Sequence, residues 1–277
     1  MFRYKHERDR SRVRTGEVEV EGLRGRVAVV TGASRRRGIG TAICRALAGR
    51  GADVFFTHWT PFDRTQPVGE ELEAPAALEE ELRGMGVRAE GMELDLSPPD
   101  SAELLLDAVA ERLGPPSILV NNAAYAARGG FERLNPETLD AHYAVNLRAT
   151  ALLSAGFARR YRGGVGGRII NLTSGQSRGP MPGELAYAAT KGAIEAFTVT
   201  LAAEVGYKGI TVNAVNPGPT DTGWMTEALK SELSTRFASG RVGEPEDAAR
   251  LVAFLAGDEA RWITGQIIHS EGGFLRG

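Results

Sequence analysis

Cysteine and long apolar runs are scarce in this sequence, and each shortage narrows the class of protein. Cys44 is the only cysteine, which excludes an intrachain disulfide and fits a reducing compartment. No apolar stretch approaches the roughly 20 residues that a membrane-spanning helix needs. The first 22 residues are charged and lack the apolar core of a secretory signal. We therefore expect a cytoplasmic protein without a membrane partner.

An excess of charge of one sign is also missing. Lys and Arg total 33, Asp and Glu total 35, and the formal net charge is -2. Nucleic-acid binding usually needs a clearly basic face, so no nucleic-acid partner is expected. The spacing of the histidines is not typical of metal ligands, and no metal site is expected; they are His6, His58, His142 and His269.

Short apolar runs alternate, from Arg26 onward, with longer amphipathic stretches. The runs are Val27–Val30, Val54–Phe56, Met92–Leu94, Ile118–Val120, Arg168–Leu172, Thr211–Val215 and Gln266–His269. Continuous apolar strands imply a sheet that is covered on both faces, and strand–helix alternation implies that its strands are parallel. We predict an α/β fold with a Rossmann-type, doubly wound sheet of about seven strands. Residues 23–277 would form this single domain, and residues 1–22 a charged arm.

One segment interrupts the alternation between the second and third predicted strands. Residues 60–91 are rich in proline and glutamate. Leu78 and Leu82, four residues apart, predict a surface helix in the later part, whereas the earlier part is expected to be an exposed loop.

A glycine-rich turn follows the first predicted strand. It runs from Thr31 to Gly40 and leads into a helical pattern. Glycines let a backbone turn tightly and approach a pyrophosphate, and the helix start offers free N–H groups to that group. The turn therefore predicts a dinucleotide site, with a merely permissive loop as the alternative.

The choice of cofactor follows from charge. NAD-selective enzymes usually end the second strand with a carboxylate that binds the ribose 2′-hydroxyl. Here that strand ends in Thr57, His58 and Trp59, while the glycine turn carries consecutive arginines at 35–37. Cationic side chains suit a 2′-phosphate. We predict NADP(H), with Arg35 or Arg36 and Thr57 nearest the phosphate; the alternative is that the arginines are solvated loop charges.

Tyr187 and Lys191 begin a helical segment and are candidates for an acid–base site, with a chance occurrence of this common spacing as the alternative. Residues four apart on a helix share a face, so the ammonium can lie beside the phenol. An adjacent cation lowers the pKa of a tyrosine toward neutrality. Ser174, at the end of the fifth strand, can hydrogen-bond a substrate carbonyl oxygen. Asn146 lies in a long helical stretch and is either an interior amide or a solvated residue.

Together these residues resemble the short-chain dehydrogenase/reductase family, in particular its 3-oxoacyl-[acyl-carrier-protein] reductases. The resemblance implies that Tyr187 is the general acid/base, that Lys191 binds the nicotinamide ribose and tunes Tyr187, that Ser174 orients the carbonyl, and that Asn146 holds a relay water. It also implies cofactor contacts at Gly32, Ser34, Gly38, Ile39, Asp95, Leu96, Asn122, Ala123, Ala124, Pro217, Gly218, Thr220 and Thr222. The glycine turn departs from the family pattern by two additional residues between Gly32 and Gly38.

The first functional hypothesis is therefore NADPH-dependent reduction of a carbonyl to a secondary alcohol, with a 3-oxoacyl thioester, linked to acyl carrier protein or coenzyme A, as best substrate. The second is an NAD(P)-dependent dehydrogenase of a sugar, polyol or other secondary alcohol. The third is an NADP(H)-sensing protein without turnover. The resemblance also implies a homotetramer.

Two further segments have open interpretations. The arginines at 159, 160, 162 and 168 either complement a helix C-terminus or dock an acidic carrier protein. The apolar residues from Trp224 to Phe237 form either a mobile lid over the substrate or ordinary core.

Overall fold

The computed structural model describes residues 22–66, 68–163 and 166–276. Within these ranges, parallel strands form one seven-stranded sheet in the order β3-β2-β1-β4-β5-β6-β7. The strands are β1 Val27–Val30, β2 Asp53–His58, β3 Ala89–Glu93, β4 Ile118–Asn121, β5 Gly167–Leu172, β6 Ile210–Asn216 and β7 Ile267–His269. Because β1 pairs with both β2 and β4, the strand order reverses there, and a crevice forms at that point. The predicted fold class is confirmed.

Helices cover both faces of this sheet. They are α1 Ile39–Ala48, α2 Thr60–Asp63, α3 Ala74–Gly84, α4 Ser101–Arg112, α5 Pro136–His142, α6 Thr150–Arg160, α7 Leu185–Val205, α8 Glu227–Ser234 and α9 Pro245–Ala256. A π-helical turn, Tyr143–Ala149, joins α5 to α6. No helix within the described ranges is long and apolar enough to cross a membrane.

Alternate side chains of each strand enter two separate cores, which explains why the strands are apolar throughout. In β1, Ala28 and Val30 face one core, shared with α1, α3 and α9. Val27 and Val29 face the other, shared with α4, α6 and α7. Both faces of the sheet are therefore removed from water, and burial of apolar surface on each side stabilises the fold.

The segment at 60–91 is only partly as predicted. Leu78 and Leu82 are buried on α3, which confirms the helix. The exposed loop expected before that helix begins instead with α2, in which Asp63 is buried, whereas residues 64–66 and 68–73 are turns and coil that are exposed or half-buried. Proline at the first turn of α2 favours this short helix, since its missing N–H has no partner to lose there. Of the predicted N-terminal arm, residues 1–21 lie outside the described residues.

Candidate active site

A cavity of about 680 Å³ opens along the carboxyl ends of the strands. Its wall comes from the turns that follow β1, β2, β3, β4, β5 and β6. This edge is where doubly wound sheets bind their ligands, because the strand order reverses there and the loops diverge.

Two glycines of the turn at this edge have no room for a side chain. Gly32 has φ of +76°, and a Cβ on it would lie 2.7 Å from the Cα of Ala123. A Cβ on Gly40 would lie 2.4 Å from the carbonyl oxygen of Gly32. The Asn122 amide donates to the carbonyl oxygens of Thr31 and Gly32, at 2.9 Å each. The turn is thus held rigidly, with bare backbone beside the start of α1.

The three arginines of the turn point in different directions. Arg35 lines the cavity. Arg36 is exposed and lies 3.8 Å from the carboxylate of Glu71, and Arg37 donates to Asp221 at 3.1 Å. The two additional residues of the turn therefore bulge away from the cavity. The prediction that Arg36 lies near a 2′-phosphate is corrected, because its guanidinium pairs on the outer surface.

A carboxylate that sequence reasoning missed also lies in the cavity wall. Asp63 is 7% exposed and lies 3.9 Å from Nε of Arg35. Burial raises the pKa of this carboxyl, while Ser34 and then Arg35 act in the opposite direction. Nothing in the local pattern indicates it, because it reaches the end of β2 from α2 by tertiary packing.

The end of β2 supplies the neighbouring wall. Thr57 is buried, and its hydroxyl accepts the N–H of Gly32 at 3.3 Å. His58 lines the cavity, and its buried Nδ1 finds no hydrogen-bond partner among the described residues. Burial lowers the pKa of His58, which keeps the ring neutral at physiological pH. The ring lines the cavity, but Nδ1 itself is enclosed by protein and does not face the open space.

Ser174, Tyr187 and Lys191 converge in the same cavity. Ser174 follows β5, Tyr187 lies near the start of α7, and both line the cavity. One turn later, Lys191 is buried, with Nζ 5.5 Å from the centroid of the Tyr187 ring. The ammonium donates to the carbonyl oxygen of Leu172 at 2.7 Å. The predicted juxtaposition of these three side chains is what the structure has.

Electrostatics at this cluster differ from the sequence-based expectation. Burial, with a smaller contribution from Glu184, raises the pKa of Tyr187 to about 12. Burial lowers the pKa of Lys191 to about 8. The expected lowering of the tyrosine pKa by the lysine is therefore wrong, because desolvation outweighs it. At neutral pH Tyr187 carries its proton and is poised to donate it.

Asn146 lies behind the cavity wall rather than in it. It belongs to the π-helical turn and is 1% exposed, which excludes the solvated alternative. Its Oδ1 accepts the N–H of Tyr125 at 2.7 Å, and its Nδ2 donates to the carbonyl oxygen of Tyr125 at 3.0 Å and to Oγ1 of Thr190 at 3.1 Å. The amide thus ties the loop after β4 to the helix that carries Tyr187.

The other predicted contact residues all line the cavity. They are Gly32, Ser34, Gly38, Ile39, Thr57, Asp95, Leu96, Asn122, Ala123, Ala124, Pro217, Gly218, Thr220 and Thr222. Of the segment proposed as lid or core, Trp224 lines the cavity whereas Met225 and Phe237 are buried. Sequence reasoning missed the wall formed by α2, where Pro61 and Phe62 accompany Asp63.

The loop that carries Ser174 is anchored to α7 by a carboxylate that the sequence did not single out. Oε1 of Glu195 accepts hydrogen bonds from Nε2 of Gln176 at 2.7 Å, from Oγ1 of Thr173 at 3.1 Å and from Oγ of Ser177 at 3.2 Å. Glu195 lies one helical turn beyond Lys191, so one helix positions both hydroxyl groups of the site.

The arginine cluster at 159–168 lies far from this cavity. Arg160 at the end of α6 pairs with Glu103 and with Asp107. Arg168, at the start of β5, is 2% exposed and donates to Asp258 at 2.8 Å. Both lie at the amino ends of the strands, whereas the cavity lies at the carboxyl ends. The charges of Arg159, Arg160 and Arg168 are matched within the chain, which favours the structural alternative for these three, whereas Arg162 is exposed.

This chain is similar to known proteins over most of its length. A family profile described as Enoyl-(Acyl carrier protein) reductase matches residues 32–275. The Uncharacterized oxidoreductase YjdA of Bacillus subtilis is 54% identical, over 91% of this chain and 98% of that protein. The 3-oxoacyl-[acyl-carrier-protein] reductase FabG of Vibrio cholerae is 38% identical, over 91% and 98%. A blue fluorescent protein from a metagenomic library, crystallised in complex with NADPH, superposes with a TM-score of 0.82 at 35% identity, over 92% of this chain and all of its own.

Proposed function

This chain belongs to the short-chain dehydrogenase/reductase family and is an NAD(P)-dependent oxidoreductase, and we propose that it uses NADPH to reduce a carbonyl compound to a secondary alcohol. The observation that carries this proposal is that Ser174, Tyr187 and the buried Lys191 converge on one wall of the cavity. These side chains share one cavity with the glycine turn. The family predicted from the sequence is confirmed, and the crystallised relative with NADPH agrees with the predicted NADP(H).

The cavity wall fits a dinucleotide phosphate. The turn from Gly32 to Gly40 would hold the pyrophosphate on bare backbone at the start of α1. Arg35, Thr57 and His58 would meet the 2′-phosphate, because they surround the end of β2. When bound, the nicotinamide supplies the hydride.

The side chains then divide the work on the substrate oxygen. The Ser174 hydroxyl donates a hydrogen bond to the carbonyl and orients it. Tyr187 transfers its proton to that oxygen as negative charge develops there. Lys191 stabilises the phenolate that this transfer leaves on Tyr187. We assign Asn146 a positioning role through its amide contacts with Tyr125 and Thr190.

The same residues serve both directions, because Tyr187 donates a proton in reduction and its phenolate accepts one in oxidation of a sugar, polyol or other alcohol. We propose reduction because the Vibrio cholerae relative is named a reductase and the blue fluorescent protein was crystallised with NADPH, the reduced cofactor. For the substrate we propose a 3-oxoacyl thioester, carried by coenzyme A or by acyl carrier protein. The 38% identity to a 3-oxoacyl-[acyl-carrier-protein] reductase supports this class.

Replacement of one oxygen atom tests the catalytic assignment. Tyr187→Phe removes the proton donor, so kcat should fall by a factor of about 10² to 10⁴, the usual range for a general acid. NADPH binding, followed by nucleotide fluorescence, should change little. Normal turnover in this variant would refute the mechanism, and retained binding with no turnover of any substrate by the parent protein would favour the sensing alternative.

A substrate panel tests the chemical class. Oxidation of NADPH is followed by absorbance against 3-oxoacyl thioesters, aldoses, steroids and quinones, and alcohols are tried with NADP⁺. We expect the highest kcat/KM for the thioesters. A higher value for a polyol in the oxidative direction would overturn the proposal in favour of the dehydrogenase.

We also propose a cytoplasmic homotetramer. Large apolar side chains are exposed on α7 and beyond α9, among them Val199 at 51% and Trp262 at 95%. Isolated exposed apolar residues are common, but groups of them mark contact surfaces between subunits. Light scattering of the eluting protein measures the mass, and a mass equal to that of one chain would contradict the assembly.

A further inference from the structure

The residues that follow β7 lie against two loops of the cavity. Glu271 is 8% exposed and forms a bidentate ion pair with Arg276, in which Nη1 and Nη2 each donate to a carboxylate oxygen at 2.7 Å. Two parallel charge-assisted hydrogen bonds fix the relative orientation of the two groups as well as attracting them. The pair is therefore a rigid unit within the tail.

Glu271 reaches the turn at Pro217 and Gly218. Its Oε2 accepts the Nδ2 amide of Asn216 at 2.8 Å, and Oδ1 of Asn216 accepts the N–H of Gly218 at 2.9 Å. Gly218 has φ of +66°, and a Cβ on it would lie 2.5 Å from Cβ of Glu271. The Glu271 carboxylate thus binds this turn through Asn216, and Cβ of Glu271 packs directly against Gly218. The turn itself lines the cavity.

Arg276 reaches the loop that carries Ser174. A Cβ on Gly175 would lie 2.1 Å from Nη2 of Arg276, and a Cβ on Gly179 would lie 3.0 Å from its Cδ. The guanidinium therefore lies directly on the backbone next to Ser174. From the same loop, Nε of Arg178 lies 3.7 Å from Oε1 of Glu271.

We propose that the Glu271–Arg276 pair is a clamp that fixes the Ser174 loop relative to the Pro217–Gly218 turn, so that both residues are positioning residues for catalysis. The inference rests on the proposed function, since it gives these loops their roles with substrate and cofactor. The Ser174 loop is held on one side by Glu195 and on the other by Arg276. Such precision matters, because displacement of a reacting group by about 1 Å costs on the order of 10² in rate.

Arg276→Met tests the clamp while keeping most of the apolar stem. We expect faster amide hydrogen exchange in peptides that cover 174–181 and 216–222, and a fall in kcat of about tenfold or more. The matched control is Arg88→Met, which removes two hydrogen bonds to Oδ2 of Asp53, from Nε at 2.9 Å and from Nη2 at 2.7 Å, at the amino ends of the strands. The control should leave exchange in both loops unchanged. Faster exchange confined to 270–276 would overturn the clamp.

Gly175→Ala provides a second, independent perturbation. Arg276 supplies all of the nearest atoms to the added methyl group, and Gly175 is not among the glycines with positive φ, so the fold should accept alanine by moving the arginine. In a double-mutant cycle on kcat, Gly175→Ala and Arg276→Met should be strongly non-additive, because both disrupt one contact. Gly175→Ala and Arg88→Met should be additive. Additivity in both cycles would contradict the proposal.

The two readouts separate failure of the clamp from failure of the proposed function. Hydrogen exchange measures the opening of the two loops and does not require turnover. Unchanged exchange in Arg276→Met therefore refutes the clamp even if the enzyme is active. Arg276→Lys should restore kcat only in part, since an ammonium keeps the charge but loses the bidentate geometry. Full restoration by lysine would show that charge alone suffices and would also overturn the clamp.

Discussion

Asp63→Asn should increase the preference of this protein for NADP(H) over NAD(H). The Asp63 carboxylate lies in the cavity wall 3.9 Å from Nε of Arg35, the one arginine of the glycine turn that lines the cavity. A phosphate bound by Arg35 would share that guanidinium with a second anion. Removal of the carboxylate charge should therefore strengthen NADP⁺ binding, and it should weaken NAD⁺ binding if Asp63 accepts the ribose 2′-hydroxyl.

The size of the effect follows from Coulomb's law. Two unit negative charges on opposite sides of a guanidinium are separated by about 7 Å, which gives about 0.6 kcal/mol in water-like surroundings and about 2.4 kcal/mol at an effective dielectric constant of 20. Asp63 is 7% exposed but lines an open cavity, so its surroundings fall between these limits. The dissociation constant of NADP⁺ should thus decrease by a factor of roughly 3 to 50.

Titration calorimetry with NADP⁺ and NAD⁺ measures this change directly. The matched control is Glu70→Gln in the same segment; Glu70 pairs with Arg64 instead, at 2.7 Å. The control should leave both dissociation constants unchanged. Weaker NADP⁺ binding in Asp63→Asn would refute the reasoning, because it would mean that the carboxylate helps the phosphate site by orienting Arg35 rather than competing for it.

Further outcomes follow from the same geometry. Because burial lowers the pKa of Lys191 to about 8, its cationic form is lost as pH rises through that value; kcat/KM should fall above it while Tyr187, with a pKa of about 12, stays protonated. A flat profile to about pH 10, near the ordinary pKa of lysine, would contradict this. Glu195→Gln should lower the free energy of unfolding by about 1–3 kcal/mol and lower kcat, by weakening its hydrogen bonds to the Ser174 loop; urea unfolding checks it, with Glu204→Gln on the same helix as control. Arg160→Glu should leave the ratio of kcat/KM for carrier-bound and free thioesters unchanged, because Arg160 lies at the opposite edge of the sheet. A selective loss for the carrier-bound substrate would instead support docking there.

Local patterns in the sequence predicted the alternation of strands and helices and the proximity of Tyr187 to Lys191, whereas their proposed catalytic role came from the family resemblance. The apolar run Val27–Val30 became β1 with the predicted bounds, because burial on both faces of a parallel sheet leaves a continuous apolar signature. Tyr187 and Lys191 were placed together by helical geometry alone, since residues four apart always share a face. The bounds of β1 and the proximity of these two side chains depend only on neighbouring residues, so a single sequence is enough to predict them.

Features that depend on distant segments could be decided only by the tertiary structure. The sequence left Arg35 and Arg36 equivalent; packing against Asp63 and Glu71 separated them. It also left the burial of Tyr187 unknown, and burial is what reverses the expected direction of its pKa shift.

The carboxylates show this difference between sequence and tertiary structure most clearly. No acidic residue ends β2 in the sequence, but α2 places the Asp63 carboxylate beside that end of the strand. Similarly, Glu271 and Arg276 follow β7 and contact two loops that are distant in sequence. The fold class was thus predicted from periodicity in the sequence, and the proposed acid–base role of Tyr187 from the family resemblance. The charge environment of the cofactor site and the anchoring of its loops were decided by tertiary packing. The residues that make these contacts are close in space but far apart in the sequence, so no regular spacing along the chain indicates them.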